Sequence, residues 1–121
     1  MKKDPLVYID HILQAIDAIE SFTGELTKEV FFGSLKEQGA IIYQLAIIGE
    51  AVTKLPAEFK VNYPEVPWID ISTMRNYLIH EYHRVNLNTV WITATKDILI
   101  LKQQLTDILN SPMSFIIEDS E

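Results

Sequence analysis

Apolar side chains recur along most of this chain with the period of a helix. Asp4-Pro5 reads as an N-cap followed by proline at the first helical position. Leu6, Ile9, Leu13, Ile16 and Ile19 then repeat at helical spacing, and Ile12 and Phe22 widen the stripe. The pattern predicts a helix over about residues 5–22, stopped at Gly24. Thr27 opens a short helix through Phe32. Ser34 and Glu37 match a capping box. The helix they open runs through Ile41, Ile42, Leu45, Ile48 and Val52 to about Lys54. Gly49 lies inside it, where glycine lowers helix stability, so another backbone is expected to pack closely there. Pro56 allows one further turn. Tyr63-Pro64-Glu65-Val66-Pro67-Trp68 is the main loop, because its two prolines remove donors and forbid continued helix. Pro67 starts the next helix, predicted over about residues 67–82. Asn86 caps the last one, with Leu87, Val90, Trp91, Ile98, Leu101, Leu105 and Leu109 along its inward side, and Asn110-Ser111-Pro112 stops it. The sequence shows no hairpin signal and no internal repeat. It predicts an all-α, antiparallel bundle of four to five helices in one domain over residues 1–112. An acidic tail, 113–121, follows and is expected to be loosely ordered.

Composition adds constraints. Apolar residues make up 48% of 121, enough for one core. A chain this short leaves apolar surface without an internal partner, which favours a dimer or a bound partner. There is no cysteine, so disulfides, thiolate metal sites and cysteine nucleophiles are excluded. That fits a reducing cytoplasm, the expected location. No apolar run follows Lys2-Lys3 as in a signal peptide, and none approaches the roughly 18 residues of a membrane span. The net charge of −7 argues against binding a phosphate backbone. Its distribution points the other way. The only arginines, Arg75 and Arg84, lie within ten residues of each other together with His80 and His83. Between Ile71 and Lys96 the sole acid is Glu81. An acidic molecule thus carries one locally basic patch, either a solvated helix face or an anion site.

The segment Met74-Arg75-Asn76-Tyr77-Leu78-Ile79-His80-Glu81-Tyr82-His83-Arg84 holds a fixed cation, a general acid/base candidate, an amide and two phenols. Cleaving RNA needs little more. A 2′-hydroxyl must lose a proton as it attacks the adjacent phosphorus, and the 5′-oxygen must gain one as it leaves. A histidine moves protons in either direction. An arginine binds phosphate bidentately. On a continuous helix Asn76, His80 and His83 share one face, and Arg75 and Tyr82 share another. Arg75 and His80 are then about 140° apart, so they meet only around a groove, across a dimer axis or where the helix frays. The sequence leaves these alternatives open.

The run Arg75-x4-His80-x-Tyr82, with Asn76 after the arginine, resembles the signature of HEPN domains of the HepT-like toxin family. Ile48-Gly49-Glu50-Ala51, the Tyr63–Trp68 loop and Val90-Trp91 resemble its other landmarks, in order, over about Tyr8 to Leu109. Two residue pairs depart from the family pattern. Tyr43-Gln44 stands where many relatives carry Arg-Asn, and His83-Arg84 replaces an aromatic-Gly pair, adding positive charge. The resemblance implies a homodimer that joins two Arg/His motifs in a cleft, and a metal-independent endoribonuclease toxin acting on RNA. It implies a minimal nucleotidyltransferase as antitoxin, which transfers AMP onto the motif tyrosine, here Tyr82. Arg75 would then bind the scissile phosphate and His80 would shuttle protons. Asn76 and Glu50 would support them, and His83 and Arg84 would contact RNA.

Each assignment has a plainer competitor. Arg75 can be a structural ion pair, with Glu50 as its attractive partner, and His80 a surface histidine. Tyr82 can be an aromatic closing a helix end, and Tyr77 is assigned to core or dimer packing. His80 and His83 around Glu81 do not make the His-Glu-x-x-His zinc pattern, so no metal and no cofactor are expected. His11 is read as a polar-face residue without a role, and Trp68 and Trp91 as core anchors. The alternative at the level of the whole chain is a non-catalytic nucleotide-binding module that pairs with a nucleotidyltransferase.

Overall fold

A computed structural model describes residues 4–111, and these are helical with no strand among them. The helices are α1 (Pro5–Thr23), α2 (Lys28–Phe32), α3 (Leu35–Lys54), α4 (Ala57–Val61), α5 (Trp68–His80), α6 (Leu87–Ile92) and α7 (Ile98–Leu109). A 3₁₀ turn, Tyr82–Arg84, follows α5, and a π-helical turn, Thr93–Asp97, joins α6 to α7. The expected acidic tail at 113–121 lies outside the described residues.

The helix starts are set by short-range chemistry. The Asp4 carboxylate accepts from Leu6 N at 2.9 Å, Thr27 Oγ1 from Val30 N at 3.2 Å, and Ser34 Oγ from Glu37 N at 3.2 Å. Asn86 Oδ1 accepts from Thr89 N at 3.1 Å. Each oxygen satisfies a backbone donor that has no partner within its own helix. α1 packs along α3, and α7 packs on α1. Ile9, Ile12, Ile16, Ile41, Val52 and Leu105 are fully buried between them. Lys102 Nζ ties α7 to α1 through Glu20 at 2.7 Å and Asp17 at 3.6 Å. Phe31 of α2 stacks obliquely on Trp91 at 5.2 Å.

The Tyr63–Trp68 loop is held by aromatic packing and one indole. Phe59 lies 5.1 Å from the Tyr63 ring and 6.3 Å from Trp68. Trp68 Nε1 donates to the Tyr63 and Lys60 carbonyls at 3.0 and 3.2 Å. These bonds fix where α5 begins, and α5 then runs back along α3.

Two boundaries differ from those the hydrophobic pattern predicts. The helix expected over 67–82 ends at His80, and Tyr82, His83 and Arg84 form a separate turn. The cause is Tyr77, whose hydroxyl donates to the Arg84 carbonyl at 3.0 Å and accepts from Asn86 N at 2.6 Å. The chain folds back onto that phenol rather than continuing outward. The last helix is also interrupted. Val90, Ala94 and Ile98 are buried at successive steps of four. On an α-helix two such steps rotate a side chain about 80° off its face. The wider turn at Thr93–Asp97 keeps all three inward.

Candidate functional site

The site is built where α5 crosses α3. A Cβ added to Gly49 would overlap the Arg75 Cβ, fall 2.8 Å from its Cγ and lie 3.2 Å from the Ile71 carbonyl. Only a residue without a side chain lets α5 approach this closely, as the interior glycine had suggested. The Arg75 side chain leaves this crossing only 26% exposed. Its Nη2 pairs with Glu50 Oε1 at 2.7 Å, and its Nη1 donates to Asn76 Oδ1 at 2.9 Å. Its Nε is buried and has no hydrogen-bond partner. Glu50 also faces Lys54 Nζ at 3.8 Å. A guanidinium carries five N–H donors in a rigid fork. Here two contacts fix its plane, and donor capacity remains for an incoming anion.

His80 is the last residue of α5 and is exposed. No hydrogen bond or ion pair among the described residues joins it to Arg75 or Tyr82. Tyr82 is 75% exposed, and His83 meets its ring edge-on at 5.6 Å. Arg84 Nη1 lies 3.8 Å from Glu81 Oε1. No side chain in Tyr82–Arg84 is buried, so the turn depends on its backbone bonds and on the Tyr77 hydroxyl.

The structure therefore brings Arg75, Glu50 and Asn76 together, with His80 one helical turn further on and Tyr82, His83 and Arg84 on the turn beyond. Asn76 and His80 share a face of α5 as expected, but the face does not continue to His83, nor that of Arg75 to Tyr82, because the helix stops before Tyr82. Tyr77, assigned from sequence to packing, is half-buried but also works through its oxygen. The clue in the sequence was Asn86, a helix cap whose own N–H needed an acceptor. Among the described residues no three His, Cys, Asp or Glu side chains gather as they would around a metal ion. No helix among the described residues is long and apolar enough to cross a membrane.

Comparison with known proteins bears on the family of the chain. Residues 12–108 match the family model described as ribonuclease HepT-like. The chain is 42% identical to "Probable ribonuclease HepT" of Thermococcus cleftensis over 84% of this chain and 93% of that one. It is 39% identical to "Putative RNase TTE0752" of Caldanaerobacter subterraneus subsp. tengcongensis over 88% and 96% of the two chains. It is also 40% identical to "Gamma-glutamylcyclotransferase and putative RNase MJ0434" of Methanocaldococcus jannaschii. That match covers 90% of this chain but 49% of the relative, so the chain spans about half of that protein. No solved structure matches it. The match to the family model over most of the chain, and relatives matched nearly end to end, place this protein in the HepT-like ribonuclease family.

Proposed function

We propose that this protein is a metal-independent endoribonuclease toxin centred on Arg75 and His80. The observation that carries the proposal is the fixed Arg75. It is held by Glu50 and Asn76 at the base of an exposed segment that ends in His80 and Tyr82. Arg75 binds a non-bridging oxygen of the scissile phosphate and stabilises charge as it develops on phosphorus. His80 takes the proton of the 2′-hydroxyl. The 2′-oxygen forms a bond to phosphorus, the bond to the 5′-oxygen breaks, and the leaving oxygen takes up a proton. The products are a 2′,3′-cyclic phosphate and a 5′-hydroxyl. One transfer removes a proton and the other supplies one, so a homodimer that places two motifs in one cleft gives each histidine one task. His83 and Arg84, on the exposed turn, contact the flanking backbone.

The same turn offers a means of silencing. In this proposal a nucleotidyltransferase antitoxin transfers AMP to Tyr82. The tyrosine oxygen attacks the α-phosphorus of ATP, pyrophosphate leaves, and the phenolic proton passes to solvent. The added phosphodiester brings negative charge and bulk beside Arg84 and His80, where RNA would otherwise lie. The exposure of Tyr82 supports this step. The test is intact-mass and peptide mass spectrometry of the chain co-expressed with a nucleotidyltransferase encoded beside it. An added AMP on Tyr82, absent in Tyr82→Phe, is expected. An unmodified Tyr82 beside an active partner would remove the switch and leave the nuclease proposal standing.

A further inference from the structure

The long helices leave one side of the bundle open. α3 packs along both α1 and α5, and α7 packs on α1, but no comparable seam joins α5 to α7. A groove of about 500 Å³ lies between them. Leu45 and Ile48 of α3 form its floor, Ile71 and Met74 of α5 one wall, and Ile98 and Leu101 of α7 the other. Each wall extends about two helical turns, from Pro67 to Met74 and from Ile98 to Gln104. One polar link bridges it, from Gln104 Nε2 to the Glu65 carbonyl at 2.9 Å. Ile100 stands 62% exposed on its rim. Glu65, Asp70 and Asp97 also line it, and no lysine or arginine does. None of these three acids is ion-paired among the described residues.

We propose that this groove receives an amphipathic helix of a partner protein, its apolar row set between α5 and α7 and its flanking Lys or Arg side chains set against Glu65, Asp70 and Asp97. The helix completes the bundle where the seam is missing, as amphipathic helices do in apolar grooves. Charge selects the occupant. A second copy laying the same groove against this one would bring like acids face to face, because a two-fold contact pairs a patch with itself. The chain's own Glu118, Asp119 and Glu121 carry the same sign, as do RNA phosphates. A basic helix gains from apolar burial and from opposite charge together.

The test uses a labelled synthetic helical peptide of about 14 residues, roughly four turns. Leucines occupy its i, i+3, i+4 and i+7 positions and lysines the remainder. A second peptide replaces every lysine with glutamate. Binding is read by fluorescence polarisation at fixed salt. The lysine peptide is expected to bind, and the glutamate peptide to bind at least tenfold more weakly. Asp70→Lys with Asp97→Lys should weaken the lysine peptide at least tenfold. Asp10→Lys with Glu29→Lys, the same charge change outside the groove, should weaken it less than twofold. Equal losses in both double variants would mean diffuse attraction to an acidic surface and would overturn the proposal. Self-association lost in Asp70→Lys with Asp97→Lys would also overturn it, by giving the groove to a second copy. Should that variant fail to fold, Asp70→Asn with Asp97→Asn replaces it, with a loss of about threefold expected.

Discussion

At Gly49 a methyl group has nowhere to go. It would meet the Cβ and Cγ of Arg75, atoms too near the backbone to swing aside. Alanine normally favours a helix over glycine by about 1 kcal/mol. Forcing two helices apart costs about 1–3 kcal/mol. Gly49→Ala is therefore expected to lose about 1 kcal/mol of stability in urea denaturation, against the helix-propensity trend, and to displace Arg75 from Glu50. An increase in stability would show that α5 does not need this approach. Tyr77 is the second residue with a separable role. Tyr77→Phe keeps the ring and removes two hydrogen bonds, each worth about 1 kcal/mol net. Amide exchange at Asn86 is expected to accelerate. RNA cleavage should fall roughly tenfold through kcat with KM little changed, because the His80–Arg84 segment loses its tether. Exchange and cleavage both at wild-type rates would remove Tyr77 from the site.

The elements show why some of the fold was legible in the sequence and some was not. Asp4, Thr27, Ser34 and Asn86 each cap a helix through a bond to a residue two or three positions away, so their meaning is local. Gly49 and Glu50 were informative because a glycine and a carboxylate inside an apolar helix each require a particular neighbour, and Arg75 supplies both contacts. The end of α5 was hidden, because it depends on a tyrosine oxygen reaching seven and nine residues ahead. The π-helical turn was hidden as well, since its apolar spacing also fits an ordinary helix to within a fraction of a turn. Alkaline pH tests one tie between elements and one buried phenol. Lys102, between Glu20 and Asp17, has its pKa raised, chiefly by the hydrogen bond to Glu20. The stability it contributes is full below the ordinary lysine pKa and is lost as pH rises through the elevated one. The Tyr63 phenol is pushed up by burial and by Glu65, so the fold resists an ionisation that the unfolded chain accepts. Thermal melting temperature is expected to fall as pH rises above roughly 10, and Lys102→Met should flatten that fall. An unchanged slope in Lys102→Met would mean that the α1–α7 tie contributes nothing measurable.

Over the whole molecule, a net charge of −7 coexists with a basic segment confined to the end of α5 and the turn after it. Under the proposed function this separation has a consequence. The acidic remainder discourages indiscriminate binding to polyanions, while Arg75, His83 and Arg84 act on a strand that reaches the cleft. In the proposed dimer, two such segments face each other and the acidic groove between α5 and α7 stays available to a different partner. The central claim concerns His80, and it is tested most directly by cleavage of RNA by the purified protein in EDTA, wild type against His80→Ala, with Tyr82 first shown by mass spectrometry to be unmodified. Cleavage that persists in EDTA, leaves 2′,3′-cyclic phosphate ends and disappears in the variant is the predicted result. Cleavage undiminished in His80→Ala, or none from unmodified wild type, would contradict the account, and the second outcome would favour a nucleotide-binding module in its place.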